Sequence, residues 1–379
     1  MIKVAIYVPS MSGGGAERVM MILANNFVAR GMSVDLVLVN SAGPFLASVD
    51  SRVRIVNLGC SGVLKSMPAL VRYYRMNKPS VILSALDYAN VVSLLAKTFA
   101  QLPSRHIVSV HTSIRSTMCC PNSSPVNRAV FWLMRLTYPS ADGVVAVSEG
   151  VKEDIVNLVG VPSDRVYRIY NPVVGDDLNE RAQEPLDHPW FAAGEIPVVI
   201  SAGRMTEVKD FGLLIRAFCK VVKRCECRLV ILGDGEKREE LECLIDALGL
   251  KSRVLLPGFQ QNPFKWMSRA SLFVLSSRLE GLSNVLIEAL ACGVPVVSTD
   301  CASGPNEILQ NGRWGRLVPV GDDNAMADAI VDLLGNTGKA NPGARAAYFN
   351  TERAVNAYLD VLLPTGRSNR GVLDPIIKN

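Results

Sequence analysis

Glu280 and Glu288 stand eight positions apart in SSRLEGLSNVLIEALACGVPVVSTD, residues 276–300. The first lies in a Gly/Ser/Asn stretch, the second inside a helical pattern, and a strand follows. Ser283 or Asn284 can cap that helix. The amides of Leu282, Ser283 and Asn284 then lie at a helix start, where unpaired N–H groups attract an anion such as a phosphate. A free carboxylate there would repel that phosphate. Each glutamate is better explained as an acceptor for hydroxyls: Glu288, one turn into the helix, for a ribose, and Glu280, before it, for another polyol. Cations for the phosphate come from GRMTEVKDF, residues 203–211, where Arg204 and Lys209 flank a loop leading into a helix with Asp210 near its start. Taken alone, that pair is equally two solvated surface charges.

A second anion-friendly stretch is SMSGGGAERV, residues 10–19, which follows the first apolar strand and opens a helix. Its glycines, Gly14 and Gly15 among them, let backbone come close to a ligand, or simply make a tight turn. The dinucleotide fingerprint fails, because its third glycine position is Arg18, and Asp35 sits near the start of the next strand instead of its end. That disfavours a nicotinamide-dependent oxidoreductase. Gly233 and Gly235 in LGDGEKREEL form a tight strand-to-helix turn, and turn chemistry alone accounts for Asp234. His111, in SVHTS, closes another strand, whereas His106 and His188 read as structural or surface residues.

These loops need strands to carry them. Residues 2–8, 33–39, 80–85, 105–110 and 143–148 read as buried parallel strands, with helices over 16–30, 64–76, 89–100, 126–138 and 151–158. After a polar, aperiodic stretch with Pro185 and Pro189, the alternation restarts, with strands at 197–203, 228–235, 253–258, 271–277, 295–299 and 315–319. The spacing predicts two Rossmann-like α/β domains: residues 1–172, a linker over 173–195, and a second domain over 196–345. A helix over 346–363 would cross back to the first domain, and a frayed tail would occupy 364–379. Ligands of such sheets bind beyond the carboxyl ends of the strands, so two facing domains make a cleft.

Composition bounds the rest. With 379 residues, 49% of them hydrophobic, the chain is long enough for two cores. The start, MIKVAIYVPS, lacks the basic opening and long apolar core of a secretion signal, and no apolar run reaches membrane-spanning length. The nine cysteines, including the adjacent Cys119 and Cys120 and the close Cys225 and Cys227, follow no zinc spacing and read as reduced thiols. A cytoplasmic protein, soluble or peripheral, is the expectation. The net charge of +5 is uneven: residues 1–175 hold 17 Lys and Arg against 9 Asp and Glu, the remainder 23 against 26. A basic first half suits a phosphorylated acceptor or an acidic membrane face, or is an uneven surface with no partner. In residues 67–80 and 127–139, Arg72, Arg75, Lys78, Arg128 and Arg135 stand beside apolar and aromatic residues, as in helices that dock on anionic lipid or in ordinary helices with one buried face. No D-x-D occurs, no metal site is readable, and no nucleic-acid partner is expected.

The combination of E-x7-E before ALACGVPVV, GGGAER near the N-terminus and GRxxxxKD opening the second half resembles the retaining GT-B glycosyltransferases of family 4, along essentially the whole chain. The resemblance implies a GT-B fold and transfer of a sugar from a nucleotide diphosphate to a hydroxyl with retention, without a metal. Arg204 and Lys209 would hold the donor diphosphate, Glu280 the donor sugar and Glu288 the ribose. Gly14 and Gly15 would approach the diphosphate and the acceptor. His111 matches the place of a histidine near the donor sugar, although Thr112 follows where the family often has Asp or Asn. The acceptor hydroxyl would attack on the leaving-group face, with the departing phosphate taking its proton. DCASGPNEIL, residues 300–309, resembles a subgroup acting on lipid-linked glycans, which points to UDP-linked HexNAc ahead of UDP-hexose or GDP-mannose. The base would sit near PGFQQNPF, residues 257–264. The rival readings are a nucleotide-sugar epimerase or hydrolase of the same shape, and a non-catalytic nucleotide-sugar-binding protein.

Overall fold

The computed structural model describes residues 2–115, 124–192, 196–335 and 343–364; Cys119, Cys120 and the tail beyond 364 lie outside them. Seven strands form a first sheet in the order β3-β2-β1-β4-β5-β6-β7: β1 (Lys3–Val8), β2 (Ser33–Leu38), β3 (Arg54–Asn57), β4 (Val81–Ala85), β5 (Arg105–Val110), β6 (Gly143–Ala146) and β7 (Val166–Arg168). Six form a second, in the order β10-β9-β8-β11-β12-β13: β8 (Val198–Ala202), β9 (Arg228–Leu232), β10 (Val254–Leu255), β11 (Leu272–Leu275), β12 (Val296–Thr299) and β13 (Arg316–Val318). Every pairing given for these strands is parallel. Parallel strands carry helices on both faces, so their residues are buried on both sides; Val4, Ala5, Ile6, Tyr7 and Val8 of β1 are all fully buried. The edge strand β3 is largely exposed and β7 has three residues, so neither shows the apolar run that marks the other strands. This is the two-sheet GT-B architecture.

The first sheet is covered on one face by α2 (Met67–Asn77), α3 (Asp87–Ala100) and α4 (Pro125–Thr137), which lie side by side. On its other face lies α1 (Gly15–Ala29), and α5 (Glu149–Asp154) follows β6. In the second unit α7 (Phe211–Val221), α8 (Arg238–Ala247), α9 (Phe264–Met267), α10 (Asn284–Ala291), α11 (Pro305–Leu309) and α12 (Asp323–Gly335) surround the sheet.

The stretch expected to be a plain linker is a folded strap. It contains α6 (Leu178–Gln183), whose carbonyls accept hydrogen bonds from the second unit: Asn262 Nδ2 to Arg181 O at 2.8 Å and Ser268 Oγ to Ala182 O at 2.9 Å. Trp190 lies in a turn just beyond, and Phe191 sits edge-on to Trp266 with ring centroids 5.4 Å apart. Backbone acceptors leave no periodic signal in sequence, which is why the strap reads as loop. The last helix is likewise interrupted: α13 (Gly343–Ala346) and a turn precede Asn350, which is extended and caps α14 (Thr351–Leu362) through its side chain. Helix α14 packs on the first sheet, where Val355, Tyr358, Val361 and Leu362 join the core under α1. Arg105 Nε donates to Val361 O at 2.9 Å.

Candidate active site

The loops at the carboxyl ends of both sheets meet. A Cβ on Gly281, after β11, would lie 2.0 Å from His111 O, after β5, so only glycine fits there. A Cβ on Gly15, at the start of α1, would lie 3.2 Å from Asn284 Nδ2 at the start of α10. Gly14 is the N-cap of α1, and a side chain on it would run into the Glu17 carboxylate. Thus Gly14, Gly15 and His111 from the first sheet face Glu280, Ser283, Asn284 and Glu288 from the second.

Lys209 and Glu280 form one unit instead of two separate contacts. Lys209 Nζ donates to Glu280 Oε1 at 2.6 Å, and Ser277 Oγ donates to the same oxygen at 2.7 Å. The loop that holds Lys209 is pinned by Asp210, whose left-handed backbone (φ 44) ends the turn. Its Oδ1 caps α7 at Leu213 N, and its Oδ2 accepts from Arg278 Nε at 2.7 Å. Arg204 is exposed and makes no ion pair among the described residues. The expected neighbouring cation pair is therefore one cation already neutralised and one directed to solvent. Beneath them, Gly233 and Gly235 do more than turn the chain. A Cβ at Gly233 would lie 2.0 Å from Gly203 O and one at Gly235 2.5 Å from Met205 O, so bare backbone lets the Gly203–Met205 loop rest on the next one.

The cap expected on α10 is different in the structure. Ser283 occupies the N-cap position but makes no capping hydrogen bond, and its buried Oγ has no partner among the described residues. Asn284 instead accepts from Asn171 Nδ2 at 2.7 Å, a contact between the halves. Among the described residues no side chain caps the first amides of α10, which leaves them available to an anion. Glu288, 5% exposed, is ion-paired with Arg18. The residue that breaks the dinucleotide fingerprint is thus the partner of the carboxylate expected to hold a ribose. Arg18 also lies 5.6 Å from the centroid of the Phe264 ring, on which Arg181 stacks at 4.6 Å. A small cavity, with room for little more than one water, remains beside Arg18, Asn284 and Glu288.

His111 Nε2 shares a hydrogen bond with Ser109 Oγ at 3.0 Å, and Ser109 with Tyr358 OH at 3.0 Å. Its Nδ1 is buried with no partner among the described residues, and burial lowers its pKa to about 4. The ring is neutral at pH 7 and can exchange a hydrogen bond with a hydroxyl. His106 is a core residue between Ser84 and Ser93, and His188 caps the turn at Trp190. Two residues here escaped sequence reasoning. Asp87 accepts from Thr112 Oγ1 at 3.1 Å, has no partner for Oδ1 among the described residues, and is pushed up to about 6 by burial. Glu307, on α11, accepts from Glu149 N at 2.9 Å and from Arg168 Nη1 at 3.1 Å, tying the halves together. Only its place in the 300–309 stretch pointed to it.

Comparison with known proteins accords with this geometry. Residues 13–176 match the model of glycosyltransferase family 4, and residues 196–336 that of glycosyl transferases group 1. The chain belongs to family 4 of the glycosyltransferases. A relative from Campylobacter jejuni, named N-acetylgalactosamine-N,N'-diacetylbacillosaminyl-diphospho-undecaprenol 4-alpha-N-acetylgalactosaminyltransferase, is 32% identical over 345 residues, 88% of this chain and 90% of its own length. The amylovoran biosynthesis glycosyltransferase AmsD of Erwinia amylovora is 26% identical across 93% of this chain and 95% of its own. In three dimensions this glycosyltransferase resembles Anabaena HepE, crystallised with UDP and glucose, at a TM-score of 0.79 and 22% identity over 96% of this chain and 100% of that one.

Proposed function

We propose that this family 4 enzyme transfers a sugar from a UDP-sugar, a HexNAc by preference, to a hydroxyl of a glycan carried on a polyprenyl diphosphate, with retention and without a metal. The observation that carries the reading is the meeting of Lys209–Glu280 with the uncapped start of α10 and the Arg18–Glu288 pair, which puts cations, amides and carboxylates in one cleft. The amides of Leu282, Ser283 and Asn284, with Arg204 and Lys209, receive the diphosphate; Glu288 takes ribose hydroxyls and Glu280 those of the donor sugar. Gly14 and Gly15 let backbone approach the diphosphate and acceptor. His111, neutral, meets a hydroxyl of the donor sugar. The bond from the anomeric carbon to the diphosphate oxygen breaks, and one to the acceptor oxygen forms on the same face. The acceptor proton leaves with the diphosphate. Preorganised positive charge is what lowers such a barrier.

The acceptor class and donor sugar are suggested by the name of the Campylobacter relative, which shares 32% identity along most of both chains. No described helix is long and apolar enough to cross a membrane. In this reading the enzyme meets a lipid-borne acceptor as a peripheral protein on the cytoplasmic face. Thermal denaturation with nucleotides and nucleotide sugars, with and without EDTA, tests the donor. A rise in Tm with UDP and a UDP-HexNAc, unchanged by EDTA, is expected. A rise with GDP compounds alone would replace the donor, and no rise with any nucleotide would remove the site.

A further inference from the structure

We infer that the outer side of the α2–α3–α4 layer is a docking surface for anionic lipid. Lys65, Arg72, Arg75, Lys78, Arg128 and Arg135 are exposed on or beside these helices, whereas Lys97 is paired with Asp142; the acidic residue within the helices is Asp87. Asp87 is 8% exposed, so its charge does not reach the surface. The same helices and their flanks supply Leu64, Met76, Tyr88, Phe99, Val126, Trp132 and Leu136, seven of the twelve large hydrophobic residues exposed among the described residues. Apolar exposure and positive charge thus coincide on one layer.

Helix α4 shows the arrangement most clearly. Val130, Met134 and Thr137 face inward. Trp132, 60% exposed, and Leu136, 76% exposed, are one turn apart on the opposite side. The Arg135 guanidinium lies 5.2 Å from the centroid of the Trp132 ring, which keeps charge and indole together. A helix that covered its core with one stripe and met only water would carry polar residues there. On α2, Arg72, Arg75, Met76 and Lys78 are exposed, and Arg75 Nη2 donates to Phe99 O at the end of α3 at 2.7 Å, joining the two helices at this rim.

Apolar side chains that enter the interface beside arginines that meet phosphate are the chemistry of an anionic bilayer surface. Charge complementarity selects lipid headgroups over an uncharged or basic partner. Helix α4 starts near the cleft: Tyr88, next to Asp87, hydrogen-bonds Asn127. A membrane against this layer would therefore border the acceptor side. The inference rests on the lipid-borne acceptor for its purpose, whereas the surface stands on exposure and charge.

Flotation of the whole chain with vesicles of phosphatidylcholine, alone or with a third phosphatidylglycerol, tests it. Binding to the anionic vesicles only, reversed by salt, is expected. Arg72→Gln and Arg135→Gln should each weaken it about fivefold, and Trp132→Ser with Leu136→Ser about tenfold or more. Equal binding to both vesicles, or to neither, overturns the proposal. So does a dimer by light scattering that Trp132→Ser dissolves, which would make the layer a self-interface. Transfer to a lipid-free glycan acceptor at the normal rate shows that these variants keep an intact site. Vesicle binding by a chain that transfers no sugar to any lipid-linked glycan would instead count against the acceptor reading and leave the surface standing.

Discussion

Lys209 and Glu280 are each half of a charge pair. The contact at 2.6 Å satisfies both, and Ser277 shares the carboxylate. A diphosphate arriving at Lys209 would compete for its ammonium and free Glu280 for sugar hydroxyls. Removing one partner is therefore expected to cost catalysis more than folding. Glu280→Gln keeps the shape and an acceptor for Ser277, so its Tm should stay near that of the parent while kcat falls about 10²–10³-fold. Lys209→Ala should lower kcat similarly. Near-normal turnover in either variant would take both out of the site. Both residues were legible in sequence, since each stood in a motif that called for its chemistry. Their pairing was not, because 71 positions separate them.

Loops after β5 and β11 set how closely the two units approach. Gly281 is required there by proximity, because the His111 carbonyl occupies the place of any Cβ. Gly281→Ala should leave both sheets folded and push the loops apart by about 1 Å. We expect kcat/KM to fall about 10²-fold, since displacement on this scale separates reacting groups, with an unchanged circular dichroism spectrum. Full activity in Gly281→Ala would mean that the two loops need not touch during turnover. Elements with long apolar runs, such as β1 and β8, were readable from pattern. The edge strand β3, the strap with α6 and the break at Asn350 were not. Their stability comes from sheet-edge pairing, backbone acceptors and a cap, none of which leaves periodicity.

At the scale of the whole molecule, the cavity beside Glu288 has room for little more than one water, far less than a nucleotide needs. Substrate entry therefore requires the halves to separate. Their contacts suit that motion because many are polar: Asn171 to Asn284 at 2.7 Å, Ser148 to Ser303 at 2.8 Å, and Glu149 N to Glu307 at 2.9 Å. The two connections run together at Val174 and Asn350, where Thr351 N donates to Val174 O at 2.9 Å, a natural pivot. Glu307 gathers Arg168, Tyr170 and the Glu149 amide across the two halves. Glu307→Gln should raise KM for the donor about tenfold, on the order of 1.4 kcal/mol, and raise the radius of gyration seen by small-angle scattering. Wild-type values for both would remove Glu307 from closure.

The sequence by itself determined the two-sheet α/β architecture and the family, because buried parallel strands must be apolar on both faces and because phosphate-facing loops need glycine, cations and helix starts in a fixed order. It also determined which side chains are chemically able to act. Only the tertiary structure decided which of them meet. Arg18 reaches Glu288 across 270 positions, Glu307 binds the β7 end, and Trp132 and Leu136 of α4 are exposed among the described residues. Local pattern records which residues have a face to bury. It does not record what stands opposite that face, since such contacts form between segments far apart in the chain and are fixed by packing alone.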